Sequence, residues 1–143
     1  MKDLLTALRM RIATQLTYLG GEKMVHVVED EDILPNTTAF PCVGLKDGPV
    51  INSYYINARR RLLVVHIIGY VLMNAEEASV MGKGNQKGVL EIIEDLKTAL
   101  VQYDPTGYVN VTDEAIDEAE SENMFYSGRL VQQKRISMTW KTT

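Results

Sequence analysis

Between Leu62 and Met73 the chain runs through Leu-Leu-Val-Val-His-Ile-Ile-Gly-Tyr-Val-Leu-Met, apolar on both alternating faces. A strand on a half-solvated sheet alternates apolar and polar residues, whereas a run of this kind is expected where both faces are covered. The run is a dozen residues long and contains His66 and Gly69, and a membrane-spanning helix needs about 20 apolar residues. It therefore predicts a central strand. One of its faces can be covered by the chain's own helices. The other must meet a second layer or another subunit.

Two helices are legible for the first of those tasks. In residues 3–19, Leu4, Leu5, Leu8, Ile12, Leu16 and Leu19 repeat at the spacing of one helical face, with Asp3 as N-cap and Gly20-Gly21 as the stop. Residues 86–103 place Val89, Ile92, Ile93, Leu96, Leu100 and Tyr103 on one stripe, with Asn85 as cap, and Asp104-Pro105 ends it.

The remaining apolar stretches predict strands. Met24–Val28 is short and β-branched, and Leu34-Pro35-Asn36 breaks the pattern after it. Asp47-Gly48 between apolar residues predicts a hairpin turn within 40–50. Pro41 and Pro49, which lack an N–H, push their segments towards strand starts or an edge. Asn74–Gly88 predicts a polar loop with a helical turn at 76–80. A short strand at 108–111 follows, then a C-terminal hairpin turning at Ser127-Gly128. In its last strand Leu130, Gln132, Lys134, Ile136, Met138 and Trp140 share one face. The whole chain, 1–143, reads as one domain. Its expected class is α+β, a mostly antiparallel sheet with two amphipathic helices packed on one face. A chain of 143 residues buries roughly two-thirds of its unfolded surface, enough for a core without disulfides or metal.

Chemistry is sparse. Cys42 is the only cysteine, so no internal disulfide forms. Cys42, His26 and His66 have none of the spacings of a zinc site. His66 reads as a hydrogen-bonded core or interface residue, and Cys42 as a small buried residue at a strand start. Gly82-Lys83-Gly84-Asn85-Gln86-Lys87-Gly88 lacks the Ser or Thr after lysine that a phosphate-binding P-loop requires. The acidic clusters at 29–32 and 113–122 lack the Asp/Asn alternation and central glycine of a calcium loop, and read as solvated faces. No cofactor or metal is expected. Arg9 and Arg11 interrupt the N-terminal apolar pattern, so no signal peptide is expected and the chain reads as soluble and intracellular when made.

Charge is segregated more sharply than it is unbalanced. Arg59, Arg60 and Arg61 stand together just before the central strand, while Thr112–Asn123 holds Asp113, Glu114, Asp117, Glu118, Glu120 and Glu122 and no basic residue. The net charge of -4 argues against a protein whose main task is gripping nucleic acid. Separate acidic and basic patches suit head-to-tail pairing of identical copies, which can close into a ring. Further cations, Arg129, Lys134, Arg135 and Lys141, lie on the final hairpin.

In order, length and texture the chain resembles the tail terminator (tail completion, or neck) proteins of tailed bacteriophages. The likeness spans nearly the whole sequence, and its most telling parts are Pro41-Cys42-Val43-Gly44-Leu45-Lys46-Asp47-Gly48-Pro49 and the helix Gly88-Val89-Leu90-Glu91-Ile92-Ile93-Glu94-Asp95-Leu96. The long apolar strand stands between them, and a closing strand ends Ile136-Ser137-Met138-Thr139-Trp140. The resemblance implies a structural virion protein, not an enzyme. It would form a homo-oligomeric ring, commonly of six copies, that caps the tail tube, stops its polymerisation and meets the head connector. Assembly would take place in the host cytoplasm, without a membrane.

On that reading, subunit and tube contacts fall on the apolar strand, the 74–88 loop with Met81, Lys83 and Lys87, and the cations Arg59, Arg60, Arg61, Arg129 and Arg135. The acidic residues Asp113, Glu114, Asp117, Glu118 and Glu120 would face the lumen, where they repel the genomic DNA passing through. The alternatives are a head-side connector or stopper of the neck, or a small α+β ligand-binding or enzyme domain. The enzyme would need His66 or Cys42 gathered with carboxylates in a pocket. A DNA-binding regulator is disfavoured by charge and by the lack of a helix-turn-helix pattern.

Overall fold

The computed structural model describes residues 1–35, 38–55, 58–73, 76–84, 86–112 and 116–143, with the backbone alone at 53–55, 58–60 and 76–77. In chain order the elements are α1 (Lys2–Gln15), β1 (Val25–Val27), β2 (Cys42–Tyr55), β3 (Ala58–Leu72), α2 (Glu76–Met81), α3 (Val89–Leu100), β4 (Tyr108–Asn110), β5 (Asp117–Glu118), β6 (Glu122–Tyr126) and β7 (Arg129–Thr142). The fold is α+β. Its single described sheet has seven strands, with β1, β2, β3 and β7 side by side and β4, β5 and β6 in turn along the outer side of β7. Only the β1–β2 pair is parallel.

The predicted central strand is β3, and the alternation predicted for the last strand places Ile136, Met138 and Trp140 opposite Ile67, Val65 and Leu63. These residues form the sheet side of the main core. Leu4, Leu8 and Ile12 of α1 and Val89, Ile92, Ile93, Leu96 and Leu100 of α3 form the helix side. Each such side chain contributes about 1.5–3 kcal/mol by leaving water. The indole N–H of Trp140, wholly buried, donates to the Tyr103 carbonyl at 2.9 Å.

Four local expectations are corrected. Asp3 is not an N-cap: the helix starts one residue earlier, and the Asp3 carboxylate accepts the Tyr108 hydroxyl at 2.6 Å, which holds its pKa below the ordinary value. The first α-helix ends at Gln15, and Thr17–Leu19 forms a separate 3-10 turn. The second long helix begins at Val89 rather than 86, with the Gly88 N–H donating to Glu91 Oε1 at 3.4 Å; Asn85 lies outside the described residues. The fourth correction is the largest. Asp47-Gly48 does not turn. β2 runs straight through it, and the register against β3 slips between Asp47 and Val50. That is a bulge, which absorbs Pro49 where no ladder donor is needed. Gly48 is required there, since a Cβ would stand 2.7 Å from the Val64 carbonyl oxygen. Pro41, after a cis peptide bond, immediately precedes β2, as expected of a strand-start proline.

The sheet face turned away from the helices is treated unequally along its length. At one end Ile68 and Tyr70 are buried in a second core with Cys42, Val131, Met124, Val28 and Leu34. The cover there is the segment from Val28 to Pro35, which crosses the sheet as a strap. It is tied down by side chains of the strands beneath. Tyr70 donates its hydroxyl to the Glu31 carbonyl at 2.6 Å, Gln133 Nε2 donates to Asp32 Oδ1 at 2.6 Å, and the Tyr126 hydroxyl donates to the Leu34 carbonyl. Arg135 pairs with Glu31 at 3.3 Å. The acidic cluster 29–32 is thus in part a tether, not wholly a solvated face. At the other end of the same face Leu62, Val64 and His66 are half-buried and Ile51 is 51% exposed. No described element covers them.

Candidate functional site

The residues that could carry catalysis are kept apart. Cys42 opens β2, wholly buried, and burial pushes its thiol up to about 12. Its partner across the ladder is Tyr70, whereas His66 lies opposite Lys46, four positions along and roughly 13 Å away. His66 Nδ1 and Ser137 Oγ share a hydrogen bond of 2.7 Å, in line with the core-or-interface reading. Burial, then the cations Arg135 and Lys46, hold the His66 pKa below its ordinary value. His26 lies in β1 opposite Gly44, and burial together with Arg9 lowers its pKa as well. Among the described residues no cluster of three or more His, Cys, Asp or Glu is placed to hold a metal. No described helix is long and apolar enough to cross a membrane.

The predicted contact residues, Arg135 excepted, divide between the two ends of the sheet. Arg59, Arg60 and Arg61 are among the first residues of β3 in its hairpin with β2, where Tyr54 pairs with Arg59, Ser53 with Arg60 and Asn52 with Arg61. This part of the hairpin outruns the sheet. The β3–β7 ladder begins only at Leu62–Lys141, and β1 reaches no further along β2 than Leu45. From Asn52 to Arg61 the described sheet is two strands wide, forming an arm. Arg61 is half-buried, and its Nε lies buried without a hydrogen-bond acceptor among the described residues.

Met81, Lys83, Lys87 and Arg129 gather at the opposite end, roughly 40 Å from the arm by the rise along β3. Met81 is 61% exposed at the end of α2. Lys83 is exposed in a tight bridge with Gln86. Lys87 stands 5.0 Å over the Tyr18 ring and pairs with Asp95 at 3.5 Å, and Arg129 stands 5.1 Å over the Phe40 ring while donating to the Thr38 carbonyl. Tyr18, Phe40 and Lys87 line one cleft of about 270 Å³, floored by Val71 and Leu72. Arg135 belongs to neither end; it is the tether of the strap to the middle of β7.

The acidic residues follow the far edge of the sheet. Asp117 and Glu118 form β5, paired with Ser137 and Ile136. Glu118 is neutralised within the chain by Lys97 at 3.0 Å and Lys134 at 3.8 Å. Glu120 and Glu122 are exposed, and no ion pair among the described residues takes them or Asp117. Asp113 and Glu114 lie outside the described residues.

Several surface residues escaped the sequence reading. Val50 and Ile51 are 39% and 51% exposed because β2 continues past the bulge instead of turning back, and Phe125 is 74% exposed on β6. The apolar pair after Pro49 was the available signal for the first two. Compared with known proteins, the chain matches no family model and no curated sequence.

Proposed function

We propose that this chain is a structural virion protein of the tail terminator kind, a ring subunit that caps the tail tube, stops its polymerisation and joins the tail to the head connector. One observation carries the reading beyond the resemblance in sequence. A single sheet presents two chemically different ends roughly 40 Å apart, an arm bearing Arg59, Arg60 and Arg61 and an aromatic cleft lined by Tyr18, Phe40 and Lys87, with Arg129 over the Phe40 ring. A subunit that joins two unlike assemblies needs two unlike contact surfaces. The net charge of -4 and the exposed carboxylates of β5 and β6 suit a lumen through which DNA slides without binding.

The test is tube assembly. Tail-tube protein polymerising in the presence of this chain yields tubes that stop growing, with the chain at one end in electron micrographs. Tubes that grow to the same lengths with and without it would contradict the proposal.

A further inference from the structure

The arm is the least self-sufficient part of the molecule. A two-stranded ribbon is marginally stable alone, and from Asn52 to Arg61 neither side of the ribbon is paired with another described strand. The bulge and Pro49 blunt the β2 edge between Asp47 and Val50, as strand edges commonly are, but Ile51–Tyr55 beyond them carries neither device. Across the sheet, on the outer side of β7, the edge formed by β5, residues 119–121 and β6 is likewise unpaired with any further described strand; it carries Asp117, Glu120 and Glu122, with Lys134 and Arg135 of β7 beside the last two. The arm belongs to a stretch with three arginines and no carboxylate. The edge belongs to the stretch 112–123, with six carboxylates and no lysine or arginine, of which Asp117, Glu118, Glu120 and Glu122 are exposed and Glu118 alone is ion-paired among the described residues.

We propose that the β2–β3 arm of one copy docks, through Arg59 and Arg60, on the β5–β6 edge of a second copy, at Glu120 and Glu122. Arm and edge lie on opposite sides of one sheet, so each docking leaves the first copy's edge and the second copy's arm free. The contact is heterologous and propagates until it closes. This assigns the occupant of the arm and rests on the ring reading above.

The experiment compares the parent chain with an arm-reversed variant (Arg59→Glu with Arg60→Glu) and an edge-reversed variant (Glu120→Arg with Glu122→Arg) by sedimentation velocity and native mass spectrometry. The parent assembles, and each variant alone weakens self-association at least about tenfold, because each sets like charge against like. Circular dichroism of both variants matches the parent. Mixed in equal amounts they reassemble, since the acidic arm of one meets the basic edge of the other and the reverse contact is complementary too. A parent that stays monomeric at millimolar concentration, variants that assemble as the parent does, or a mixture that stays dissociated would each overturn the docking. A monomeric parent that still stops tubes would overturn it while leaving the capping function standing. Rings with the predicted charge dependence that fail to stop tubes would do the reverse.

Discussion

The outer face of β3 is built twice from similar residues and finished differently. Around Ile68 and Tyr70 the chain folds back on itself, and the strap after Val28 seals the face with hydrogen bonds to its own backbone. Around Leu62 and Val64, one long strand segment away, the same apolar texture is left half-covered beside an arm two strands wide. A sequence apolar on both faces demands cover; here the described chain meets half of that demand and leaves the other half partly open, the half on which the proposed docking bears.

The contrast is broken most forcefully by truncating one side chain in each half. Ile68→Ala removes a wholly buried side chain from the sealed core and should cost about 2–5 kcal/mol in urea unfolding of the free chain. Val64→Ala in the half-covered region should cost less than about 1 kcal/mol. Equal losses would mean that both halves are sealed within one copy.

A smaller effect sharpens the account of the seal. Tyr70→Phe deletes the hydroxyl that holds the Glu31 carbonyl, worth about 0.5–1.5 kcal/mol. Cys42 lies in the same covered cluster, so its alkylation reports the opening of the strap. Burial pushes its thiol up to about 12, well above the unfolded value of about 8.5, and the native chain should react slowly at pH 8. Tyr70→Phe should speed that reaction severalfold. An unchanged rate would show that the tether does not hold the cover.

The smallest effect belongs to the open half. The His66 pKa is lowered by burial and by Arg135 and Lys46, so near and below its unfolded value of about 6.5 the unfolded chain binds more protons than the folded one. Stability contributed by neutral His66 is therefore present above that value and declines as pH falls through it. Between about pH 7.5 and 5.5 the melting temperature should fall, and His66→Gln should flatten part of the decline. His26, shifted the same way, retains the rest. A slope identical in parent and variant would remove His66 from the account.

The parts of this design that repeat with a period were legible in the sequence. The alternation from Leu130 to Trp140 gave β7 and its core face, and the helical spacing of Val89 to Leu100 gave α3. Asp47-Gly48 misled because turn and bulge ask the same thing of a residue, freedom for the backbone to approach closely. Only the Val64 carbonyl beyond it distinguishes the two. The strap was illegible because nothing periodic marks it. It is held by tethers such as Gln133 to Asp32, which join residues about a hundred positions apart. The cations were found by composition, yet their roles differ by neighbour: Arg135 holds the strap, Lys87 sits on an aromatic ring beside Asp95, and Arg59 and Arg60 belong to the arm.

Hydrogen exchange as a function of protein concentration tests the central claim most directly, because it compares two parts of one strand in a single sample. If the open half and the arm are finished by a second copy, outward-facing amides in Ile51–Tyr55 become protected as concentration rises. Those of Cys42–Leu45, already paired with β1 or buried, do not change. Exchange across Ile51–Tyr55 that is the same at every concentration, in a chain shown to associate, would contradict the account.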